Sequence, residues 1–153
     1  MNLFYKILKS FGYVNAALPS ALLLIFWFLP MWAMRQLQPK RFTDGAWEWG
    51  VVPNSWFANK YSDMWAATTL GFIIFLSPGY ENDPVTHVHE RRHVQQYWCL
   101  GLLFFVAYYC AMMIGYANTT PPPNIMLTNG YWWNWFEMDA RRFAQNNPNH
   151  RLF

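Results

Sequence analysis

Two apolar stretches dominate the pattern along the chain. The first runs from Val14 to Met34, with Lys6 and Lys9 before it and Arg35, Lys40 and Arg41 after it. It is long enough to cross a bilayer, but Pro19 and Pro30 leave only a short uninterrupted helix between them. Two lysines followed by an apolar run also match the start of a secretory signal. No small-residue cleavage site follows, so the stretch reads as an uncleaved anchor, with a buried core helix as the alternative. The second stretch, Trp98 to Ala117, is uncharged throughout and contains Gly101 and Gly115. It fits a spanning helix, a helix lying in the membrane plane, or the hydrophobic back of a folded domain. Basic residues flank the first stretch on both sides, so charge assigns no orientation.

Between these stretches the pattern shortens. Ala46 to Val52 is aromatic and β-branched and stops at Pro53-Asn54, which predicts a strand and a turn. Ala66 to Leu76 reads as extended, with Gly71 as a bulge or turn, and ends at Ser77-Pro78-Gly79. Asp83-Pro84 is a helix start, a capping carboxylate followed by proline at the first helical position. That helix is expected to reach about Leu100, where Gly101 ends or bends it. Thr119 to Asn124 is a proline-rich linker and Asn129-Gly130 a turn. Tyr131, Trp132, Trp133, Trp135 and Phe136 form an aromatic cluster suited to a membrane interface or a hydrophobic lid. A last helix is expected from about Trp135 to Gln145, capped by Asn134. There are no internal repeats. The expected organisation is α+β: a hydrophobic anchor and polar connector over residues 1–44, then one domain over 45–153 that includes the apolar helix 98–117.

Composition sharpens this picture. The 153 residues make one domain, 54% hydrophobic, 21% aromatic and 12% charged, about half the usual charged fraction. That is more aromatic surface than one small core hides, which points to lipid contact. A net charge of +3 from scattered basic residues gives little support to nucleic-acid binding, and no nucleic-acid partner is expected. Cys99 and Cys110 lie within the second apolar stretch and are expected to be buried free thiols, in keeping with a reducing compartment.

The chemistry concentrates at His89-Glu90-Arg91-Arg92-His93, an H-E-x-x-H spacing. Residues four apart on a helix differ by about 40° around its axis, so both imidazoles can ligate one ion. Glu90 then projects where it can take a proton from a bound water. The bland alternative is a solvated helix start with Glu90 and the arginines facing water. His87 lies about 160° from His89 and is excluded from the ligand face, so it is expected at the surface or an interface. Gln96 falls near that face, where it either hydrogen-bonds within the site or packs. An open metal site usually takes three protein ligands, and Glu137, Asp139 and His150 are candidates for the third. Glu137 and Asp139 are about 160° apart, so only one of them can face the metal. Glu137 could equally close a capping box with Asn134.

The H-E-x-x-H motif, followed on a later helix by Glu137-Met138-Asp139-Ala140 and Phe143-Ala144, resembles the gluzincin metallopeptidases. The run Thr69 to Phe72, Ser77-Pro78-Gly79 and Asp83-Pro84 is similar to the edge strand that precedes the active-site helix in compact zincin-like domains. The resemblance covers roughly Gly45 to Ala144. It implies a small zincin-like domain with an active-site helix, a short antiparallel sheet and a third-ligand helix, carrying one or two membrane-associated helices. It implies zinc on His89, His93 and Glu137, with Glu90 as general base. An extended peptide would lie on the strand near Phe72–Leu76, so Phe72, Ile74 and Tyr131 are the expected substrate contacts. Many gluzincins carry an acid four residues after the ligand glutamate to hold a ligand histidine. Arg141 stands there, which leaves Asp139 or a backbone carbonyl to supply that acceptor. Tyr131, Arg142 and His150 are candidates for stabilising the transition state. The expected function is a membrane-associated zinc metallopeptidase acting on peptide or protein substrates near the bilayer. The alternative is a catalytically inactive zincin-like membrane protein serving as an assembly or interaction factor.

Overall fold

The computed structural model describes residues 10–11, 14–15, 17, 20–43, 45–61, 65–118 and 130–147. In chain order they form helix α1 (Ser20–Ala33), strands β1 (Leu37–Thr43) and β2 (Ala46–Val51), and a short helix α2 (Trp56–Tyr61). Strands β3 (Ala67–Leu70) and β4 (Ile73–Leu76) follow, then helices α3 (Pro84–Leu100), α4 (Leu103–Ala117) and α5 (Trp135–Asn146). The linker expected at 119–124, Asn129 of the expected turn, Pro19 and His150 lie outside the described residues.

The class is α+β, and the sheet is mixed rather than antiparallel. Its order is β1-β2-β4-β3, two antiparallel hairpins joined by a parallel β2–β4 pair. Parallel neighbours require a crossover, and α2 lies within it. Gly71, at φ 66°, turns the chain between β3 and β4, so of the bulge or turn expected there it is the turn of a hairpin. The stretch read as a polar connector contains an edge strand, β1. Pro39 is tolerated there, and a bulge between Pro39 and Arg41 interrupts the ladder.

All four residues of β4 are buried, because both faces of the sheet are covered. Successive side chains point to opposite faces. Ile73 and Phe75 pack with Phe28 and Met31 of α1 and Phe57 of α2, while Ile74 and Leu76 pack with Val94 and Trp98 of α3. Within α1 the backbone widens into a π-helical stretch over Leu24–Phe28, just before Pro30. Proline has no N–H and crowds the carbonyl four residues back, and the widened turn accommodates both.

Asp83 caps α3 through hydrogen bonds from the Val85 and Thr86 amides, with Pro84 next in sequence. Gly101 ends the helix at φ 57° and ψ −136°, and α4 leaves at 116° to α3. The apolar stretch 98–117 is therefore broken, and among the described residues no single helix is long and apolar enough to cross a membrane. Cys99 and Cys110 are exposed free thiols rather than buried ones. Cys110 shares the outward stripe of α4 with Val106, Tyr109 and Met113. The inner side of α4 packs closely on the segment before α5: a β-carbon at Gly115 would lie 3.0 Å from the Trp133 carbonyl carbon.

The face of α3 that meets the sheet is polar at one end. Glu48 of β2 is 1% exposed and is held by the guanidinium of Arg41 across the hairpin and by Arg91 of α3 at 3.1 Å. His87 lies on the same face, buried rather than at the surface. Its Nδ1 is 3.4 Å from Glu48 and its Nε2 is 2.7 Å from the Glu81 carbonyl. Burial works against the Glu48 charge, but His87 and Arg41 outweigh it and hold the carboxyl at about 2, against an ordinary value of 4.5. A carboxyl depressed on folding stabilises the protein fully above pH 4.5, and that stability is lost as pH falls from 4.5 toward 2. Glu48→Gln is expected to cost about 3 kcal/mol at pH 7 by removing the buried carboxylate charge that Arg91 and Arg41 meet. Urea denaturation at pH 7 and at pH 3 tests this. The loss should shrink at the lower pH, and equal losses at both would contradict it.

Candidate metal centre

The opposite face of α3 carries His89 and His93 one turn apart, with their Nε2 atoms 3.1 Å from each other. Glu137, in the first turn of α5, inserts its carboxylate between them. Oε2 is 3.1 Å from His89 Nε2 and Oε1 is 3.2 Å from His93 Nε2. His93 and Glu137 are buried and His89 is half-buried. The arrangement exists because α5 lies along α3 and because Asn134 fixes where α5 begins. Asn134 is fully buried, caps the Phe136 amide and donates to the Tyr108 carbonyl of α4. Glu137 is therefore not the far half of a capping box. Its carboxylate faces the two imidazoles and accepts from the Tyr108 hydroxyl at 2.6 Å.

These three residues form a group that can hold a metal ion. Taken with one ligand atom from each residue, the three donors lie within 4.8 Å of one another, close enough to share one ion. Glu137 Oε2 is buried without an aligned hydrogen bond, an orphaned acceptor that a cation would satisfy. Two imidazoles and a carboxylate are also a donor set of the open, three-ligand type. The electrostatics agree. Burial alone would depress the His93 pKa, yet the Glu137 carboxylate, helped by Glu90 and Gln96, raises it. Burial likewise opposes the Glu137 charge, and His89, His93 and Tyr108 hold that carboxyl far below the usual range. Carboxylates that raise the pKa of an enclosed imidazole make the pocket negative in potential, which attracts cations.

His93 is oriented from behind. Its Nδ1 lies 2.7 Å from Gln96 Oε1, which accepts the ring proton and leaves Nε2 free as a ligand. Gln96 Nε2 donates to Asp139 Oδ2 at 2.9 Å and to the Phe136 carbonyl, and Arg92 clamps Asp139 through both carboxylate oxygens. Both of the expected supporting residues are thus in place, linked in series, with Gln96 in contact with the histidine. No protein-family model, curated protein or solved structure matches the chain. The reading of the site therefore rests on its own geometry.

Glu90 follows His89 on α3 and is 5% exposed, so the solvated-helix alternative does not describe it. Its Oε2 accepts from the Thr69 hydroxyl at 2.7 Å. Thr69 belongs to β3, the strand at the sheet edge opposite β1. A cavity of about 940 Å³ opens here, bounded by β3, by the ligand residues and by Phe104, Tyr108 and Met112 of α4. Tyr131 lines this cavity as expected. Phe72 and Ile74 do not: Phe72 lies in the hairpin turn, and Ile74 is 0% exposed in β4, which is paired on both sides. The free edge is one strand over, at Ala67–Leu70. Sequence reasoning missed Thr69 and Tyr108, since a threonine in a strand and a tyrosine in an apolar helix carry no local signal. Arg141 lines the cavity, and Arg142 is exposed.

Titration with zinc or cobalt should give one equivalent bound, lost in His93→Ala. Gln96→Ala should retain that stoichiometry but weaken affinity about 10- to 100-fold by chelator competition. Unchanged affinity in Gln96→Ala would remove its orienting role.

Proposed function

We propose that the protein is a membrane-associated, zinc-dependent metallopeptidase of the gluzincin type, with zinc on His89, His93 and Glu137. The observation that carries this reading is the meeting of a three-donor group, a buried glutamate and an open strand edge at one cavity. Zinc, when bound, lowers the pKa of a coordinated water and polarises a carbonyl. The remaining work belongs to the chain's own residues. A peptide adds to the free edge of β3 by backbone hydrogen bonds, which places its scissile bond across the cavity. Thr69 occupies one oxygen of Glu90 and so fixes the carboxylate against the strand that holds the substrate. Glu90 takes a proton from the attacking water and delivers it to the leaving nitrogen. The apolar wall from α4 favours hydrophobic side chains in the substrate.

A metal-binding assembly factor without turnover would need neither Glu90 nor an open edge beside it, and both are present. That alternative draws on Arg141 in place of an acid and on the absence of a clear transition-state stabiliser in the sequence. Gln96, backed by Asp139, supplies the acceptor that the acid would have supplied.

The membrane part of the reading rests on surface chemistry. Residues 94–136 contain no Asp, Glu, Lys or Arg. Leu103, Val106, Tyr109, Met113 and Ile114 of α4 are exposed, as are Phe26, Trp27 and Trp32 of α1. Trp132, Trp133 and Trp135 lie at the start of α5, also exposed. Aromatic residues bordering an uncharged helix too short to span suit an element lying in the interface.

Glu90→Gln is expected to keep its zinc and to cleave a library of capped peptides about 10²- to 10⁴-fold more slowly. Wild-type-like turnover in that variant would sink the mechanism. Separately, the wild type should float with phosphatidylcholine vesicles, and Val106→Lys combined with Tyr109→Lys should release it without loss of zinc. Flotation that survives both lysines would place the membrane contact elsewhere.

A further inference from the structure

Arg141 stands one turn after Glu137 on α5, where the resemblance to gluzincins anticipates an acid. Its guanidinium is fixed in place: Nη2 donates to the Trp132 carbonyl, and the group lies over the rings of Trp132 and Tyr131, 4.7 and 5.4 Å from their centroids. Nη1 is left over. It is buried, makes no hydrogen bond, and stops 4.0 Å from Glu137 Oε2, which itself lacks one. A Glu–Arg pair four residues apart ordinarily stabilises a helix by a few tenths of a kcal/mol. Here the stacked rings hold the cation short of hydrogen-bond distance. Burying a charged N–H without an acceptor costs more than such a pair returns, so Nη1 is poised for one, and Arg141 lines the cavity through which it would come.

A metal ion is not that acceptor, because a guanidinium beside the triad repels it. The charges point to an anion. Glu90 and Glu137 balance a divalent ion, and Arg141 leaves one positive charge in excess. We propose that Arg141 is a catalytic residue whose Nη1 receives the negative oxygen formed at the scissile carbonyl, a role that rests on the metallopeptidase reading above. The water oxygen bonds to the carbonyl carbon, and the C=O π pair moves onto the carbonyl oxygen, which accepts a hydrogen bond from Nη1. The pair then returns as the C–N bond breaks, and the leaving nitrogen takes the proton that Glu90 removed from water. A guanidinium suits the task because it stays charged at any working pH and is already oriented by the rings. The same cation could hold a substrate's terminal carboxylate. Its 4.0 Å separation from a ligand oxygen places it at the reacting carbon, whereas a terminal carboxylate lies about 3.4 Å further along an extended chain.

The test uses binding to the zinc-loaded protein. A phosphinic pseudo-tripeptide with phenylalanine side chains, capped at both ends, presents a tetrahedral anion at the scissile position; a second form keeps a free C-terminal carboxylate. By calorimetry, Arg141→Ala should weaken the capped compound about 100-fold. Arg141→Met, which keeps the contact with the rings, should weaken it equally, and Arg141→Lys should recover part of the loss. Zinc affinity by chelator competition should stay level or rise, and kcat should fall with KM nearly unchanged. Wild-type affinity in Arg141→Met overturns the proposal alone. A loss confined to the uncapped compound also overturns it, in favour of a carboxylate clamp. A wild type that holds zinc but binds neither compound overturns the metallopeptidase reading, and this role with it.

Discussion

The structure depends on one constraint: α3 must bury polar groups on both of its sides. Toward the sheet, His87 and Arg91 meet Glu48, whose carboxylate also reaches Arg41 of the edge strand. Toward α5, His89, His93 and Gln96 meet Glu137 and Asp139. Each set is held because its members satisfy one another, and removing any one strands a charge or donor in a medium that solvates it poorly. The apolar contacts of Val94 and Trp98 with β4 then set how deeply the helix sits. Polar pairing at one end of the sheet face and hydrophobic packing at the other together fix the rotation of α3, and that rotation aims both imidazoles at Glu137.

The second consequence concerns the sheet edge. β4 lies between β2 and β3 and has no free backbone groups to offer. Among the described residues β3 is paired on one side only, and its other side borders the cavity. Thr69 connects this edge to Glu90, so the element suited to holding a peptide also orients the residue suited to proton transfer. A shift of β3 against α3 would disturb both at once. The opposite edge, β1, is blunted by a bulge and by Lys40 and Arg41, a common protection against unwanted strand pairing. The two edges of one sheet have thus been treated differently.

The exposed apolar surface has a structural logic as well. α4 contributes Phe104 and Tyr108 to the cavity and turns Val106, Tyr109 and Met113 outward. One short helix therefore separates the cavity from whatever the outer stripe contacts. If that contact is lipid, the cavity lies within a helix diameter of the bilayer, about 10 Å, and substrates concentrated at the interface reach it first.

Local chemistry made much of this legible from the chain alone. Asp83-Pro84 and Gly101 marked both ends of α3, because capping and a left-handed terminus are decided within a few residues. The spacing of His89 and His93 put both on one side of that helix, and Asn134 marked the start of α5. Other features had no local signal. The pairing of β2 with β4 depends on contacts distant in sequence, and so does the identity of the free edge, which is why Ile74 was expected at the substrate and lies in the core. Glu48 and Arg91 carry no local sign of burial until the fold brings them together beside Arg41. The sequence by itself determined that two imidazoles and a carboxylate were available at helical spacing. Tertiary structure decided which acid would join them, which strand would face them, and that Arg141 would be stacked into a position that leaves its Nη1 without a hydrogen bond. Those outcomes depend on how helices and strands pack, and packing is a property of the whole chain rather than of any window along it.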